Sequence, residues 1–124
     1  LNGDWGLSPE SFDAVVAAEL LEHLYYPEKV LQKIAAVLKP GGVFVGSVPH
    51  AFSLINRLRI LLGKKDGTPL ADPTHINHFT YGEFEKMLKS VFSQVEIVPF
   101  TRFKLLGKLW PRYFSFLLFF RCQK

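Results

Sequence analysis

Residues 12–49 read FDAVVAAELLEHLYYPEKVLQKIAAVLKPGGVFVGSVP, and the fold turns on how this stretch is divided. Its outer pieces, 12–18 and 43–49, are short apolar runs without polar alternation. Runs of that kind suit strands buried on both faces. Between them, Val30, Leu31, Ile34, Val37 and Leu38 recur at helical spacing and predict a helix over 27–38. Pro27 fits the first turn, where a missing N–H costs nothing. Pro40 cannot continue the helix, and Gly41 and Gly42 permit a positive φ at its exit. Strand, helix, strand is a βαβ unit, right-handed with parallel strands, so the fold class is α/β. Ligands in such sheets sit beyond the carboxyl ends of the strands, which places residues 18–23 and Pro49-His50 at the mouth of a site.

The 124 residues suffice for one small domain. At 48% hydrophobic and 15% aromatic, the chain is rich enough for a large core. Its one cysteine, Cys122, excludes an internal disulfide and fits a reducing compartment. No signal peptide opens the sequence, so a cytoplasmic location is expected. The most apolar run, 113–120, is too short to span a bilayer and reads as a buried strand. Charge is uneven. Residues 1–50 carry six acids and three bases, and residues 51–124 carry five acids and twelve bases, for a net +4. A basic second half suits an anionic ligand, a membrane surface or nucleic acid, and equally an ordinary solvated surface of lysines and arginines. There is no recognition-helix pattern or zinc spacing, so no nucleic-acid partner is expected.

Beyond the βαβ unit, residues 52–62 predict a basic amphipathic helix ending at Gly63, then a loop over 64–73. Thr80 with Glu83 makes a capping box and Phe79 with Phe84 a hydrophobic staple, starting a helix whose buried stripe is Phe84, Met87, Leu88 and Val91. Residues 92–98 read as a strand, 100–111 as a basic aromatic connection and 113–122 as a last strand.

Several pieces together resemble the second half of the class I S-adenosylmethionine-dependent methyltransferases, closest to the small-molecule group that includes ubiquinone-type O-methyltransferases. They are Phe12-Asp13-Ala14-Val15-Val16, Leu21-Glu22-His23, Leu38-Lys39-Pro40-Gly41-Gly42, the Ser47 and Pro49 strand end, and Asp72-Pro73-Thr74-His75 with His78-Phe79-Thr80. The likeness covers about residues 12–98. It implies a Rossmann-like sheet, mostly parallel with an antiparallel last strand, in the order first, second, fourth, third. It implies S-adenosylmethionine as cofactor, held by Ala18, Glu19, Glu22 and His23, with the small Ala18 leaving the cofactor room. His23, His75 and His78 are the candidate bases. Residues 52–80 correspond to a substrate-covering insertion.

No glycine-rich turn is present: Gly41, Gly42 and Gly46 follow a helix or lie in a strand. A partial domain over 1–124 is therefore expected, the C-terminal part of an enzyme that methylates a small molecule, inactive and self-associating on its own. The alternatives are a non-catalytic binding or assembly module and a membrane-surface enzyme with a lipid-like substrate. Glu19 and Glu22 do not suggest a glycosidase pair. For His75 and His78, beside a helix start, bonds to backbone outrank metal ligation, and no metal is expected. His50 stands where the family commonly has asparagine, so the resemblance does not by itself imply a polar substrate contact there.

Overall fold

The computed structural model describes residues 3, 5–101 and 104–124, and after residue 101 the side chains of Lys104, Lys108 and Pro111 lie outside that description. Strand β1 (Phe12–Ala18) leads through a 3-10 turn (Leu21–His23) into α1 (Pro27–Val37) and β2 (Leu38–Pro49). Then come α2 (Leu54–Leu61), a 3-10 turn (Pro69–Ala71), α3 (Tyr81–Lys89), β3 (Gln94–Phe100), α4 (Lys104–Leu109), α5 (Pro111–Phe114) and β4 (Leu117–Gln123). The sheet order is β1-β2-β4-β3, with β1 and β2 parallel and β4 antiparallel to both its neighbours. This is the predicted Rossmann-like order.

One face of the sheet carries the core. Ala17, Phe44, Val48, Leu118, Phe120 and Cys122 meet Leu31 and Ile34 of α1 and Phe84 and Leu88 of α3. Aromatic rings bind the layers, with Phe44 at 4.9 Å from Phe120 and Phe84 at 5.4 Å from Phe120. Each such ring or branched side chain contributes about 1.5–3 kcal/mol when fully buried. The helices follow their local signals. Pro27 opens α1, and the Ser53 hydroxyl accepts from the Asn56 N–H to cap α2. The Thr80–Glu83 capping box closes reciprocally at 3.2 and 3.1 Å, and the Phe79 and Phe84 rings of the staple sit 5.3 Å apart.

Several expectations are corrected. β1 is not buried on both faces: Ala17 is buried, but Val16 on the opposite side is 71% exposed. The buried cluster with α1 and α3 lies on the Ala17 side of the strand. The first helix stops one residue early, at Val37, and Leu38 already begins β2. Gly41, at φ 76°, serves a bulged stretch of that strand instead of a helix cap, and the pairing jumps from Phe12–Leu38 to Ala14–Val43. β3 starts two residues late because Phe92 still donates to the Leu88 carbonyl at 3.0 Å. Tyr113 and Phe114 are helical instead of extended. Pro111 starts a turn in which both donate to the Trp110 carbonyl. Among the described residues no helix is long and apolar enough to cross a membrane.

Candidate functional site

At the carboxyl end of β1, the Glu19 N–H donates to the Ser47 carbonyl at 2.9 Å, one rung beyond the strand. Glu19 itself takes φ 48°, a left-handed conformation uncommon for a residue with a Cβ. That bend throws the chain across the sheet's end into the Leu21–His23 turn. Ala18 and Glu19 face outward, exposed.

The turn is wrapped by a segment far along the sequence. The Glu22 carbonyl accepts from the N–H groups of Ile76 and Asn77, at 2.9 and 2.8 Å. The Asn77 side-chain amide donates to the Leu24 carbonyl. The Asp72 carboxylate accepts from the Thr74 N–H at 2.9 Å and hydroxyl at 2.6 Å, an Asx turn that shapes the segment and holds its carboxyl below the usual range.

Two histidines are oriented by this wrapping. His23 Nδ1 lies 2.9 Å from the Thr74 carbonyl, and His75 Nδ1 lies 2.9 Å from the Pro69 carbonyl. A carbonyl only accepts, so both rings carry a proton on Nδ1. In the neutral imidazole each Nε2 is then a bare lone pair. The rings sit 4.8 Å apart between centroids, and His23 Nε2 lies 4.0 Å from Glu22 Oε1. The ligating atoms of Glu22, His23 and His75 all fall within 4.8 Å of one another. Glu22 is 1% exposed, and neither carboxylate oxygen has a hydrogen-bond donor among the described residues. Burial pushes its pKa up.

The structure therefore brings His23 and His75 together with Glu22 and leaves His78 out. His78 Nε2 is buried and has no partner among the described residues. His50 is buried as well. Its Nδ1 lies 2.8 Å from the Ser115 hydroxyl, and its carbonyl accepts from the Asn56 amide at 3.1 Å. Its role is to tie β2 to the start of β4. Sequence reasoning missed Asn77, the residue that clamps the segment to the turn, and Asn56. No local pattern marks them, because their partners are set by the chain crossing.

At the same end of the sheet, toward the β3 edge, a cleft of about 370 Å³ is lined by Ile55, Asn56, Arg59, Gly67, Phe100 and Phe116. Its walls are apolar but for Asn56 and Arg59, whose guanidinium donates to the Gly67 carbonyl at 2.7 Å. Of the basic residues on 52–65, Arg57 likewise donates to the Phe52 carbonyl and stacks 5.6 Å from the Tyr113 ring.

A family profile described as "Methyltransferase domain" matches residues 3–91. The chain belongs to the class I S-adenosylmethionine-dependent methyltransferases. It is 32% identical over 90 residues to a protein of Mycolicibacterium smegmatis described as "Probable S-adenosylmethionine-dependent methyltransferase", covering 73% of this chain and 32% of that one. It is 49% identical over 51 residues to the ubiquinone biosynthesis O-methyltransferase of Paracidovorax citrulli, covering 40% of this chain and 18% of that one. The chain thus spans about a third or less of the curated relatives it matches. Among solved structures, a methyltransferase of Thermotoga maritima superposes with TM-score 0.71 at 18% identity, over 98% of this chain and 60% of that one. Phosphoethanolamine N-methyltransferase 2 of Haemonchus contortus, solved with S-adenosylmethionine bound, superposes with TM-score 0.62 at 17% identity over 95% of this chain and 34% of that one. At these identities the superpositions speak to the fold alone.

S-adenosylmethionine is the methyl donor of this methyltransferase family. The residues present fit one wall of its site: the small exposed Ala18 and the turned-out Glu19 leave open the carboxyl end of β1, where this fold binds ligands.

Proposed function

We propose that this methyltransferase domain forms the acceptor side of an enzyme that methylates a nucleophilic atom of a small molecule, with His23 and His75 receiving the acceptor. The observation that carries this reading is the pair of Nε2 lone pairs fixed by carbonyl bonds from Nδ1, at the end of the strand where the cofactor belongs. The sulfonium methyl is already a strong electrophile, so the protein chiefly aligns it with the nucleophile and excludes water. The acceptor oxygen, nitrogen or carbon forms the new bond to the methyl carbon, the C–S bond breaks, and its pair stays on sulfur as the thioether. For a hydroxyl acceptor, the released proton goes to the Glu22–His23–His75 cluster. The cleft beneath α2 seats the apolar body of the acceptor, and residues 52–80 cover it. In this reading Ala18, Glu19, Glu22 and His23 form the chain's side of the cofactor site. The relatives described as ubiquinone biosynthesis O-methyltransferases support a hydroxyl acceptor. The comparisons do not favour a non-catalytic module.

In the active enzyme, His23→Ala and His75→Ala each lower turnover by about 100-fold or more, and His75→Ala, outside the cofactor site, leaves cofactor affinity unchanged. Near-normal turnover in both variants removes the cluster from the chemistry. His78→Ala separates the third histidine: its isolation from the cluster predicts turnover within a few-fold of wild type.

A membrane-presented acceptor is the second reading. Leu61, Leu62, Leu105 and Trp110 are all exposed, beside the basic residues Arg57, Arg59, Lys64 and Lys65. An apolar lip with a basic rim suits the interface of an anionic bilayer. Sedimentation with anionic vesicles but not with neutral ones is the expected result, and equal binding to both, or binding to neither, removes this reading.

A further inference from the structure

We propose that a second cleft, between α2, the start of α3 and α5, binds a phosphate monoester. The binding stands independently of methyl transfer, and only its use by the acceptor would rest on the acceptor-side reading above.

The cleft holds about 300 Å³ and is lined by Arg57, Thr80, Tyr81, Gly82, Arg112 and Tyr113. Its two guanidiniums and two phenols come from three helices: Arg57 from α2, Tyr81 from α3, and Arg112 with Tyr113 from α5. No carboxylate is among these lining residues. The acids of α3 are engaged elsewhere. Glu83 turns back into the capping box, where its Oε2 accepts from the Thr80 hydroxyl at 2.7 Å. Glu85 pairs with Lys89 at 2.8 Å and stays 4.0 Å from Arg112 Nη2, beyond hydrogen-bond length.

Both guanidiniums are positioned without being neutralised. Arg57 donates from Nε to the Phe52 carbonyl at 2.7 Å, and its guanidinium lies 5.6 Å from the Tyr113 ring. Its terminal nitrogens have no hydrogen-bond partner among the described residues. The Arg112 guanidinium lies 5.7 Å from the Tyr81 ring. The two stacks interlock, since each arginine rests on a tyrosine of a different helix. An arginine held over an aromatic ring keeps its forked N–H edge for an oxyanion. Burial, with Glu85 adding to it, raises the Tyr81 pKa, so that hydroxyl remains a donor at neutral pH.

The arrangement of donors selects the ligand. One guanidinium fork satisfies a planar carboxylate. Two forks from separate helices suit a tetrahedral group that turns oxygens in several directions, and two positive charges match the dianion of a phosphate monoester. A phosphodiester, as in a lipid headgroup, carries one charge and matches less well. The volume is at the small end of ligand sites, which admits the phosphate with a compact organic body. Gly82 keeps the mouth open, since a Cβ there would meet nothing within 4 Å. The cleft also lies at the end of the sheet where the histidines stand. Thr80 follows the segment that carries His75, and α5 leads into β4, whose Leu117 pairs with Pro49 at the end of β2.

The test is calorimetric titration of the 124-residue chain at low salt with phenyl phosphate, and with diphenyl phosphate as the monoanionic diester. One phenyl phosphate per chain is expected, held about tenfold or more tighter than the diester. Arg57→Gln and Arg112→Gln should each weaken it about tenfold or more. Gly82→Glu puts a negative charge at the mouth without a steric clash, and should abolish binding while the circular dichroism spectrum is retained. Lys86→Gln, on the same helix but outside the cleft, should leave the affinity unchanged. Absence of binding, equal affinity for the diester, an equal loss in Lys86→Gln, or undiminished binding in a folded Gly82→Glu overturns the site. Turnover plays no part in this titration, so its outcome is separate from that of the His23 and His75 variants.

Discussion

Single residues in this chain divide into those whose job is visible locally and those whose job comes from what crosses them. His50 is of the second kind. It follows the end of β2, at the mouth of the site, yet its ring points to Ser115 and is buried. Burial, assisted by the nearby Arg57 charge, holds its pKa below the ordinary 6.5 despite the opposing Ser115 backbone contact. The consequence for stability has a definite sign. Above the unfolded value both states are neutral at this position and stability does not depend on it. As pH falls through 6.5, the unfolded chain takes a proton that the folded ring resists, so stability is lost until the folded pKa is reached. The slope approaches about 1.4 kcal/mol per pH unit for one proton. Denaturant midpoints measured from about pH 7.5 down to about pH 5 should fall less steeply in His50→Gln than in the parent. Parallel slopes would show that the ring titrates normally.

Strands and helices differ in how far their own sequence reveals them. Gly46 is set by close approach: a Cβ there would lie 1.9 Å from the Ala17 carbonyl oxygen and 2.7 Å from Phe120 Cζ. The first clash is with backbone of the paired strand, which cannot swing aside. Gly46→Ala should therefore cost about 3 kcal/mol, the upper end of overpacking effects, read as a lower denaturant midpoint. A cost under about 1 kcal/mol would mean that β1 and β2 separate readily at this rung. The sequence placed Gly46 in a strand but held no sign of this contact. By contrast, α3 was legible almost to the residue, because its cap, staple and stripe are all signals within a few positions of one another. The last strand was misjudged at its start because Pro111 reads equally well as a linker residue and as the first residue of a helix. The candidate site was legible as residue types and not as geometry. Glu22, His23 and His75 could be named, but that the two rings meet, and that His78 does not join them, depends on a loop folding back from 51 residues away to reach His23.

At the scale of the whole molecule, the decisive feature is that, among the described residues, the main buried cluster lies on one face of the sheet. Val15-Val16-Ala17-Ala18 has the same composition whether a strand is covered on one side or two, so this asymmetry was invisible until the packing was known. Val16, Val98, Phe100 and Phe119 stand 71%, 51%, 58% and 44% exposed on the opposite face. Phe100 and Phe119 stack edge to face at 6.1 Å, giving that face an aromatic centre. Among the described residues β1 lies at the sheet edge, paired with β2 alone, so its outer backbone groups have no described strand beside them. An apolar face next to an open strand edge is the kind of surface that recruits another chain. The 124-residue chain by itself should therefore run above its monomer mass of 14.1 kDa in light scattering at micromolar concentration. Val16→Lys with Phe119→Lys places charge on the face without touching the buried layer, and should shift the mass toward the monomer while far-ultraviolet circular dichroism stays unchanged. A parent chain that is monomeric across the concentration range would show that this exposed face is tolerated in water as it stands.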